Sequence, residues 1–451
     1  MDRRAVYGPR DGTVLSQQSQ HRSDEILDGD IDEVLQAKRA DGKFWRNLRE
    51  QDLPIRVQQI LHQIGFYGVY RCGRIQYDCH LITALVERWR SETHTFHFRV
   101  GEATITLQDV QVIWGLPIDG EPVSGTDLER TSVQWQEYCM QYIGFAPEEG
   151  ALKGSRLQYA RAVALLLLGG TMCPDSSGNL VSLLYLAKLE DIVAARNYSW
   201  GSAVLAFLYR ELCNASEKGK AAIGGALQLV QIWAWSRIIP LCPGLGAPRV
   251  HMGQHQIDNN RVLPGAPYGA MWNCEHTFTR TVRTTVRVIR DILDEMQHDQ
   301  FIWQPYDMES NVIMAYAGDF NPQLWRSICP LIFYAIVEMH HPERVLRQFG
   351  MMQNIPDQPD TRDMSLHRIT RSNRTGTDWV LQHILYITRW QRRYDTVIQR
   401  QPISNRRDTD RGYWEWYNNK HVISFRRLLI DVWKADTNLE MHQCCRLWYA
   451  T

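Results

Sequence analysis

The sequence lacks a hydrophobic run long enough to cross a membrane. Its longest uninterrupted apolar stretch covers residues 162–168, whereas a membrane-spanning helix needs about 20 residues. Residues 1–42 are mostly polar and contain no apolar segment of the signal-peptide type. We therefore expect a soluble, intracellular protein that is neither secreted nor inserted in a membrane.

Cysteine pairing motifs are also absent. The ten cysteines are scattered and form no CxxC pair, so we expect reduced thiols rather than a disulfide framework. His251 and His255 have the HxxxH spacing of a metal pair, but no glutamate lies between them and the surrounding sequence is rich in Pro and Gly. His442, Cys444 and Cys445 lack an evident fourth ligand. The sequence therefore predicts no metal site.

No catalytic signature is recognisable either. A glycine-rich phosphate loop, a Walker lysine and a GxSxG nucleophile elbow are missing. The Gly-Gly pairs at 169–170 and 224–225 lie in apolar, helix-like surroundings. We therefore predict no catalytic residue and no cofactor.

Lysine is scarce and the chain has no net charge. Fifty basic residues balance fifty acidic residues, and only 8 of the basic residues are lysine. Zero net charge argues against a protein that binds a polyanion along its whole length. The excess of arginine suits paired hydrogen bonds to carboxylates or phosphates and stacking on aromatic rings. Solvated surface arginines would give the same composition.

Hydrophobic periodicity predicts a mainly α-helical fold. The clearest helix, 282–296, repeats an apolar residue every three or four positions. Ile289 on this helix is predicted to lie in the core, as are Trp89 and Trp114 on earlier helices. Further helices are predicted near 132–142, 155–168, 181–195, 200–214, 221–237, 323–339, 342–349, 377–400 and 411–433.

One short segment has a period of two instead. β-forming residues from Thr95 to Ile105 flank a turn that contains Gly101, which predicts one small β-hairpin. Thr106 and Asp109 follow with the spacing of a capping box. We therefore expect a new helix to begin at Thr106.

Composition also predicts the domain organisation. Residues 1–42 are expected to form a disordered polar arm, and residues 434–451 a C-terminal tail. One large domain is expected between them, at 43–433. A Pro- and Gly-rich loop, 240–272, is predicted to join its two lobes, 43–239 and 273–433.

A basic and aromatic segment, 361–427, is the first candidate binding site. It contains 14 basic and 6 acidic residues, interleaved with Trp and Tyr. Such a mixture suits nucleic acid, through phosphate contacts and base stacking, and it equally suits a protein interface. Amphipathic helices with aromatic cores and solvated arginines would explain it as well. The candidate partner-binding residues in this segment are Arg392, Arg393, Tyr413, Trp416 and Tyr417.

Three stretches resemble the plant mobile domain of the Maintenance of Meristems family. The longest runs from His80 to Gly125 and ends in TLQDV and GLPIDG; the second is HPERVLRQFGMMQNIP, 341–356; the third, weaker one is YWEWYNNK, 413–420. On this resemblance the domain is expected to cover about 390 residues, from 43 to 433.

The resemblance implies a biological setting rather than a reaction. Such domains occur in plant nuclear proteins and in transposable elements, and host members are linked to meristem maintenance, genome integrity and transposon silencing. The family is also called aminotransferase-like, and some relatives carry a serine/threonine phosphatase domain. Neither chemistry is supported by residues here: no Schiff-base lysine can be assigned, and Gly318-Asp319 lacks the rest of a phosphatase metal signature.

The resemblance therefore favours a non-catalytic nuclear interaction module, or a transposon-carried copy of one. Its expected partner is a nuclear protein, and the family's domain association makes a phosphatase-like protein a candidate. A nucleic-acid-binding module derived from a transposon is the alternative, and an enzyme comes third.

The second stretch adds four candidate residues. Its apolar residues form the inner face of a predicted short helix, and Gly350 ends that helix. The hydrophobic pattern does not explain four polar residues, which could bind a partner or tie neighbouring helices together: Arg344, Arg347, Gln348 and Gln353.

Overall fold

The structure is a computed structural model. It describes residues 9, 11–25, 33–39, 41–47, 52–127, 130–144, 156–175, 181–248, 256–257, 261–262, 265–277, 285–306, 320–360, 365–371, 376–403 and 409–420. The metal candidates His251, His255, His442, Cys444 and Cys445, the pair Gly318-Asp319 and the tail at 434–451 lie outside these ranges. Within them, no helix combines the length and the apolar character needed to cross a bilayer.

Helix far exceeds strand over the described residues, which confirms the mainly α-helical prediction. The α-helices are α1 (Gly42–Asn47), α2 (Ile55–Gln63), α3 (Tyr67–Cys72), α4 (Cys79–Val86), α5 (Leu107–Trp114), α6 (Ser132–Ile143), α7 (Arg156–Leu167), α8 (Ile192–Ala195), α9 (Trp200–Ser216), α10 (Leu227–Arg237), α11 (Val286–Glu295), α12 (Trp379–Gln382), α13 (Ile384–Gln391) and α14 (Tyr413–Lys420).

Short polar side chains fix where several helices begin. The Asp78 carboxylate accepts hydrogen bonds from two backbone N–H groups of the first turn of α4. At α5, the Thr106 backbone N–H donates to the Asp109 carboxylate at 2.7 Å, which confirms the predicted capping box. The predicted helix 181–195 is instead a 3-10 segment, Leu183–Lys188, followed by α8, because Asp191 caps a separate helix.

In the part of the chain that the structure describes, the strands form five small sheets rather than the single hairpin that the sequence predicts. The predicted hairpin is present and is part of an antiparallel sheet in which β3 pairs with both β2 and β4. The strands are β1 (Gln36–Ala37), β2 (Trp89–Arg90), β3 (Thr95–Phe98), β4 (Gly101–Ala103), β5 (Ala222–Ile223), β6 (Gly244–Pro248), β7 (Gln256–Ile257), β8 (Arg261–Val262), β9 (Cys274–Thr277), β10 (Cys329–Phe333) and β11 (Ile336–His340).

The prediction of a helix at 323–339 is wrong. A short 3-10 turn is followed by the antiparallel hairpin β10–β11. Pro330 would break the interior of a helix, whereas at this position in β10 it is tolerated. Tyr334, in the two-residue connection, has a positive φ of 51° that suits a tight hairpin turn.

One hydrophobic core runs through the described chain. Trp89, Trp114 and Ile289, which the sequence predicts to be core residues, are all fully buried. Helix α9 lies at the centre and packs against α5, β2, β10 and β11. The core cluster extends from Leu35 to Trp390, so residues before and after the Pro/Gly-rich region share the same interior.

A division into two lobes is therefore not shown over the described residues. Helix α11, from the predicted second lobe, packs directly on α4 of the first. Two buried ion pairs join them: Arg88 with Asp294 at 2.6 Å, and Glu87 with Arg290 at 2.6 Å. The predicted loop 240–272 also contributes structure, since β6 pairs with β9 and Trp272 is buried against Trp235.

Part of the predicted disordered arm is packed against the domain. Val14, Leu15 and Leu35 are buried, and β1 pairs in parallel with β5. The His21 imidazole is buried as well, with one ring nitrogen 2.8 Å from the Trp89 carbonyl oxygen. The segment differs from the prediction because its few apolar residues pack against the core of the domain. Its polar composition alone does not reveal this contact.

Candidate functional site

The carboxylate of Glu102, on β4, binds one of the predicted site residues. Arg344 donates two hydrogen bonds to it, from Nε at 2.7 Å and from Nη2 at 2.8 Å, and the Thr95 hydroxyl donates a third at 2.9 Å. Both members of the ion pair are buried. Burial alone would lower the pKa of Arg344, but the facing Glu102 carboxylate raises it overall, so the guanidinium is held in its charged form.

Arg347 fills the space beside this pair. Its guanidinium lies over the Trp303 ring, 3.7 Å from the centroid, and donates a hydrogen bond to the Val100 carbonyl at 2.9 Å. A Cβ atom on Gly101, where φ is 119°, would collide with the guanidinium, so glycine is required there. Burial lowers the pKa of Arg347.

The side-chain amides of Gln348 and Gln353 form hydrogen bonds with backbone N–H and carbonyl groups. Gln348 accepts a hydrogen bond from the Thr104 N–H and donates one to the Thr104 carbonyl, each at 2.8 Å. Gln353 accepts from the Leu346 N–H at 2.7 Å and donates to the Glu343 carbonyl at 2.9 Å. Both side chains are fully buried and therefore tie the 3-10 helix Pro342–Phe349 to its surroundings.

Helix α14 closes the same region. The Tyr417 hydroxyl donates to the Phe98 carbonyl at 2.8 Å, and Tyr413 stacks on Tyr417 with both rings buried, whereas Trp416 is half-buried. We call this buried set the Glu102 network: Glu102, Arg344, Arg347, Gln348, Gln353, Tyr413 and Tyr417. The three stretches at 80–125, 341–356 and 413–420 thus meet in one place, and these polar residues tie the structure together from within.

The two adjacent arginines of the basic segment have different environments. Arg393 donates to the Asp119 carboxylate from Nε at 3.0 Å and lies over the Trp390 ring. Burial would raise the pKa of Asp119, but hydrogen bonds from Tyr394 and Arg393 lower it overall. Arg392, by contrast, is exposed. Of this pair, Arg392 is the residue that the structure presents to solvent.

The sequence did not predict an apolar surface on α12 and α13. Val380, Leu381, Ile384 and Leu385 are 37%, 70%, 49% and 75% exposed, and the pairs Val380/Ile384 and Leu381/Leu385 are each four positions apart across the junction of α12 and α13. We call these four residues the 380–385 ridge. The one available signal was the excess of apolar residues over what a single buried helix face can hold.

The opposite face of the same helices is firmly anchored. Trp379, Ile387 and Trp390 are buried in the core. The Trp390 indole N–H donates to the Gly120 carbonyl at 2.9 Å, and one ring nitrogen of His383 lies 3.2 Å from the Ala335 carbonyl oxygen. The ridge is therefore held in place by the core beneath it.

A sequence model of the plant mobile domain matches residues 65–418. The chain belongs to the plant mobile domain family. The matched range contains both the Glu102 network and the 380–385 ridge, so both are features of this plant mobile domain.

Several Arabidopsis thaliana proteins are similar to this plant mobile domain chain. Protein MAINTENANCE OF MERISTEMS is 28% identical over 452 residues, which cover 95% of this chain and 85% of that protein. Protein MAIN-LIKE 2 is 29% identical over 442 residues, covering 92% of this chain and 62% of that protein. No solved structure matches the chain.

A third relative carries an enzyme's name. The Serine/threonine-protein phosphatase 7 long form homolog of the same plant is 36% identical over 444 residues, covering 92% of this chain but 32% of that protein. The chain thus spans about a third of the length of this relative. MAIN proteins and a phosphatase homologue therefore both occur among the relatives of this plant mobile domain.

Proposed function

We propose that this chain is a non-catalytic interaction module that binds a nuclear protein partner through the 380–385 ridge. The observation that carries the proposal is the exposure of four apolar side chains on helices whose other face is fixed in the core. Contiguous exposed apolar residues mark interaction surfaces in soluble proteins. Since the helices are already anchored, binding would cost little conformational entropy.

The surroundings of the ridge indicate the chemistry of the partner. Arg389 and Arg392 are exposed at its C-terminal end, and arginine is common at the energetic centres of protein interfaces. An amphipathic helix with apolar residues about four positions apart would cover Leu381 and Leu385. Acidic residues at one end of that helix would complement the two arginines.

The family relationship supports the biological setting of the proposal. Relatives named for the maintenance of meristems cover nearly the whole chain. On this support we propose a nuclear location and a role in meristem maintenance, genome integrity and transposon silencing, either as a host protein or as a copy carried by a transposon. The name of one relative makes a phosphatase-like protein a candidate partner.

A nucleic-acid partner is the less favoured alternative. Base stacking needs exposed aromatic rings. Trp379, Trp390, Tyr413 and Tyr417 of the basic segment are buried, and among its described aromatic residues Tyr394 alone is exposed, at 41%. Arginines such as Arg392 could still bind phosphates. The affinity would then fall by about 0.7–0.9 log units for each phosphate contacted when the salt concentration rises tenfold. A steep salt dependence would therefore distinguish this alternative from the apolar docking proposed here.

Comparative purification from plant nuclei tests the proposal. The bait is the full chain, either unchanged or as the double variant Leu381→Glu, Leu385→Glu. The double variant would bury two charges in an apolar contact. Recovery of the direct partner should therefore fall at least tenfold, which corresponds to a loss of about 1.4 kcal/mol in binding free energy. Recovery is quantified by mass spectrometry at two salt concentrations.

Val193→Glu supplies the matched control. Val193 is 74% exposed on α8, so the same substitution type is made at an equally exposed apolar residue elsewhere. The control should keep the partner. Equal recovery with all three baits, or loss with the control as well, would contradict docking at the ridge.

A further inference from the structure

Three side chains that suit a transition metal meet in the interior. They are His94, in the turn between β2 and β3, Cys213 on α9, and His367 in the segment 365–371. One ring nitrogen of each histidine and the Cys213 Sγ atom all lie within 4.8 Å of one another. His94 and Cys213 are buried, and the His367 side chain is 14% exposed.

A carboxylate lies beside the two histidines of this group. One oxygen of Glu338, on β11, lies 3.2 Å from the His94 Nε2 atom, and the other lies 3.1 Å from the His367 Nδ1 atom. Among the residues that the structure describes, His367 Nε2 is buried without a hydrogen-bond partner, and His94 Nε2 and Glu338 Oε2 have no partner other than their contact with each other. Buried polar atoms of this kind call for a specific explanation.

The contact between the His94 Nε2 atom and Glu338 calls for a positive charge between the two atoms. The His94 Nδ1 atom lies 3.0 Å from the Met339 carbonyl oxygen, which can only accept, so Nδ1 carries a hydrogen. In the neutral ring the Nε2 atom then presents a lone pair to a carboxylate oxygen, and two acceptors repel each other. Either a proton on Nε2 or a metal ion removes the repulsion.

We propose that His94, Cys213, His367 and Glu338 form a zinc-binding site. A proton between His94 and Glu338 would not account for the convergence of a second imidazole and a thiol on the same point. Two imidazoles, a thiolate and a carboxylate are ligands that zinc accepts in tetrahedral sites. On binding, the Cys213 thiol loses its proton to solvent, and the two negative ligands balance the charge of the ion.

The geometry needs an adjustment to accept the ion. Ligand atoms at roughly 2.0–2.3 Å from zinc are roughly 3.3–3.8 Å apart in a tetrahedron, so a separation near the 4.8 Å limit among the His94, Cys213 and His367 ligand atoms must close by about 1 Å. Glu338 must also turn one oxygen toward the Cys213 sulfur to join the three. His367 lies at the edge of the site and, being partly exposed, can rotate more easily than the buried ligands. The site would then be closed around the metal.

Neighbouring groups already orient the ligands. The Met339 carbonyl fixes the His94 ring, and the Trp89 indole N–H lies 3.2 Å from the Cys213 sulfur. Arg210 donates to Glu338 and also to the Leu366 carbonyl, at 3.0 Å, next to His367. Such secondary partners hold metal ligands in place in known sites.

An entry route and a structural role follow from the surroundings. A cavity of about 180 Å³ has Cys213, His367 and His21 among its lining residues. A bound ion would link the turn before β3, helix α9 and the segment 365–371. Because zinc binding to the folded state adds to stability, the ion would fasten that segment to the core.

Metal analysis and cobalt spectroscopy of the untagged full chain test the proposal. The chain purified without chelators should contain one zinc per molecule. After chelation, Co²⁺ should give visible d–d bands of tetrahedral geometry and a near-ultraviolet thiolate charge-transfer band. His367→Gln and Cys213→Ser should each weaken Co²⁺ binding by about 10- to 100-fold or more, and Cys213→Ser should abolish the charge-transfer band. Cys242→Ser, at an exposed cysteine, should leave both signals unchanged.

Either of two other results would contradict the proposed zinc site. A chain that folds normally but takes up neither zinc nor cobalt would mean that a proton occupies the contact between His94 and Glu338. Cobalt binding without a charge-transfer band would exclude Cys213 as a ligand. Circular dichroism of each variant shows whether it is folded, and the measurement on the unchanged chain stands even if a variant fails to fold.

Discussion

The Arg344 guanidinium binds both oxygens of the Glu102 carboxylate, although 242 residues separate the two in sequence. This buried pair joins the β3–β4 hairpin to the 3-10 helix Pro342–Phe349. It also links two of the stretches that carry the resemblance to the plant mobile domain. The pair thus connects the two ranges, 43–239 and 273–433, that the sequence analysis assigns to separate lobes.

Removing one partner of this pair should destabilise the fold strongly. Arg344→Leu leaves the Glu102 charge buried without its counterion, which typically costs about 3–5 kcal/mol. Lys220→Ala is the control, because Lys220 pairs with Glu217 on the surface and such pairs contribute at most about 1 kcal/mol. Denaturant unfolding measures both. A loss for Arg344→Leu no larger than that of the control would refute the structural role of the network.

The close approach of Arg347 to the backbone gives a second prediction. Gly101→Ala should destabilise the chain because of its positive φ and because the new Cβ meets the guanidinium. Gly219→Ala is the matched control, since Gly219 has a φ of 73° but no atom within 4 Å of a Cβ. The control should lose about 1–2 kcal/mol from backbone strain alone, and Gly101→Ala should lose clearly more. Equal losses would mean that the contact imposes no steric limit.

The two faces of helix α13 should respond differently to substitution. Trp390→Ala removes a buried indole and its hydrogen bond to Gly120, so the free energy of unfolding should fall by about 3–5 kcal/mol. Leu385→Ser changes an exposed side chain and should stay within about 0.5 kcal/mol of the unchanged chain. Thermal unfolding followed by circular dichroism provides the comparison. A large loss for Leu385→Ser would show that the ridge belongs to the interior.

Acid should release the N-terminal segment 11–25. Burial, followed by the nearby positive charge of Arg90, lowers the pKa of His21 well below its ordinary value, so His21 is neutral when the segment is packed. The detached segment takes up a proton at the ordinary pKa of about 6.5. Stability is therefore present above that pH and is lost as the pH falls below it, by up to about 1.4 kcal/mol per pH unit.

Hydrogen exchange of residues 11–25 measures this release. Protection should fall between ~pH 7.5 and ~pH 5, where ordinary histidines become charged. A His21→Gln variant keeps a polar side chain but cannot titrate, so its protection should depend much less on pH. An identical pH dependence in the variant would assign the effect to another group.

Hydrophobic periodicity predicted most of the helices but did not predict the hairpin β10–β11. Long amphipathic repeats such as the one around Ile289 have only one reasonable interpretation. The short apolar runs on either side of Tyr334 fit a buried helix and a buried strand equally well. The packing of Val14 and Leu15 could not be predicted, because it depends on a core formed by distant residues.

The candidate site shows the same limit more clearly. Arg344, Arg347, Gln348 and Gln353 stood out because no hydrophobic pattern explained them, and each does have a specific partner. Their burial depends on Glu102 and its neighbours, far away in sequence, which no local pattern reveals. The zinc ligands were missed for the same reason, since His94, Cys213 and His367 share no local spacing.

Site-specific photo-crosslinking tests the central claim, that the ridge binds a protein, most directly. A photoreactive amino acid at position 385 reports what touches the ridge in plant nuclei, and the same residue at position 193 reports background contacts at an equally exposed apolar position. We predict a single protein adduct of defined mass at position 385 and none at 193. Adducts that are the same at both positions, or an adduct at 385 that nuclease rather than protease removes, would contradict the account.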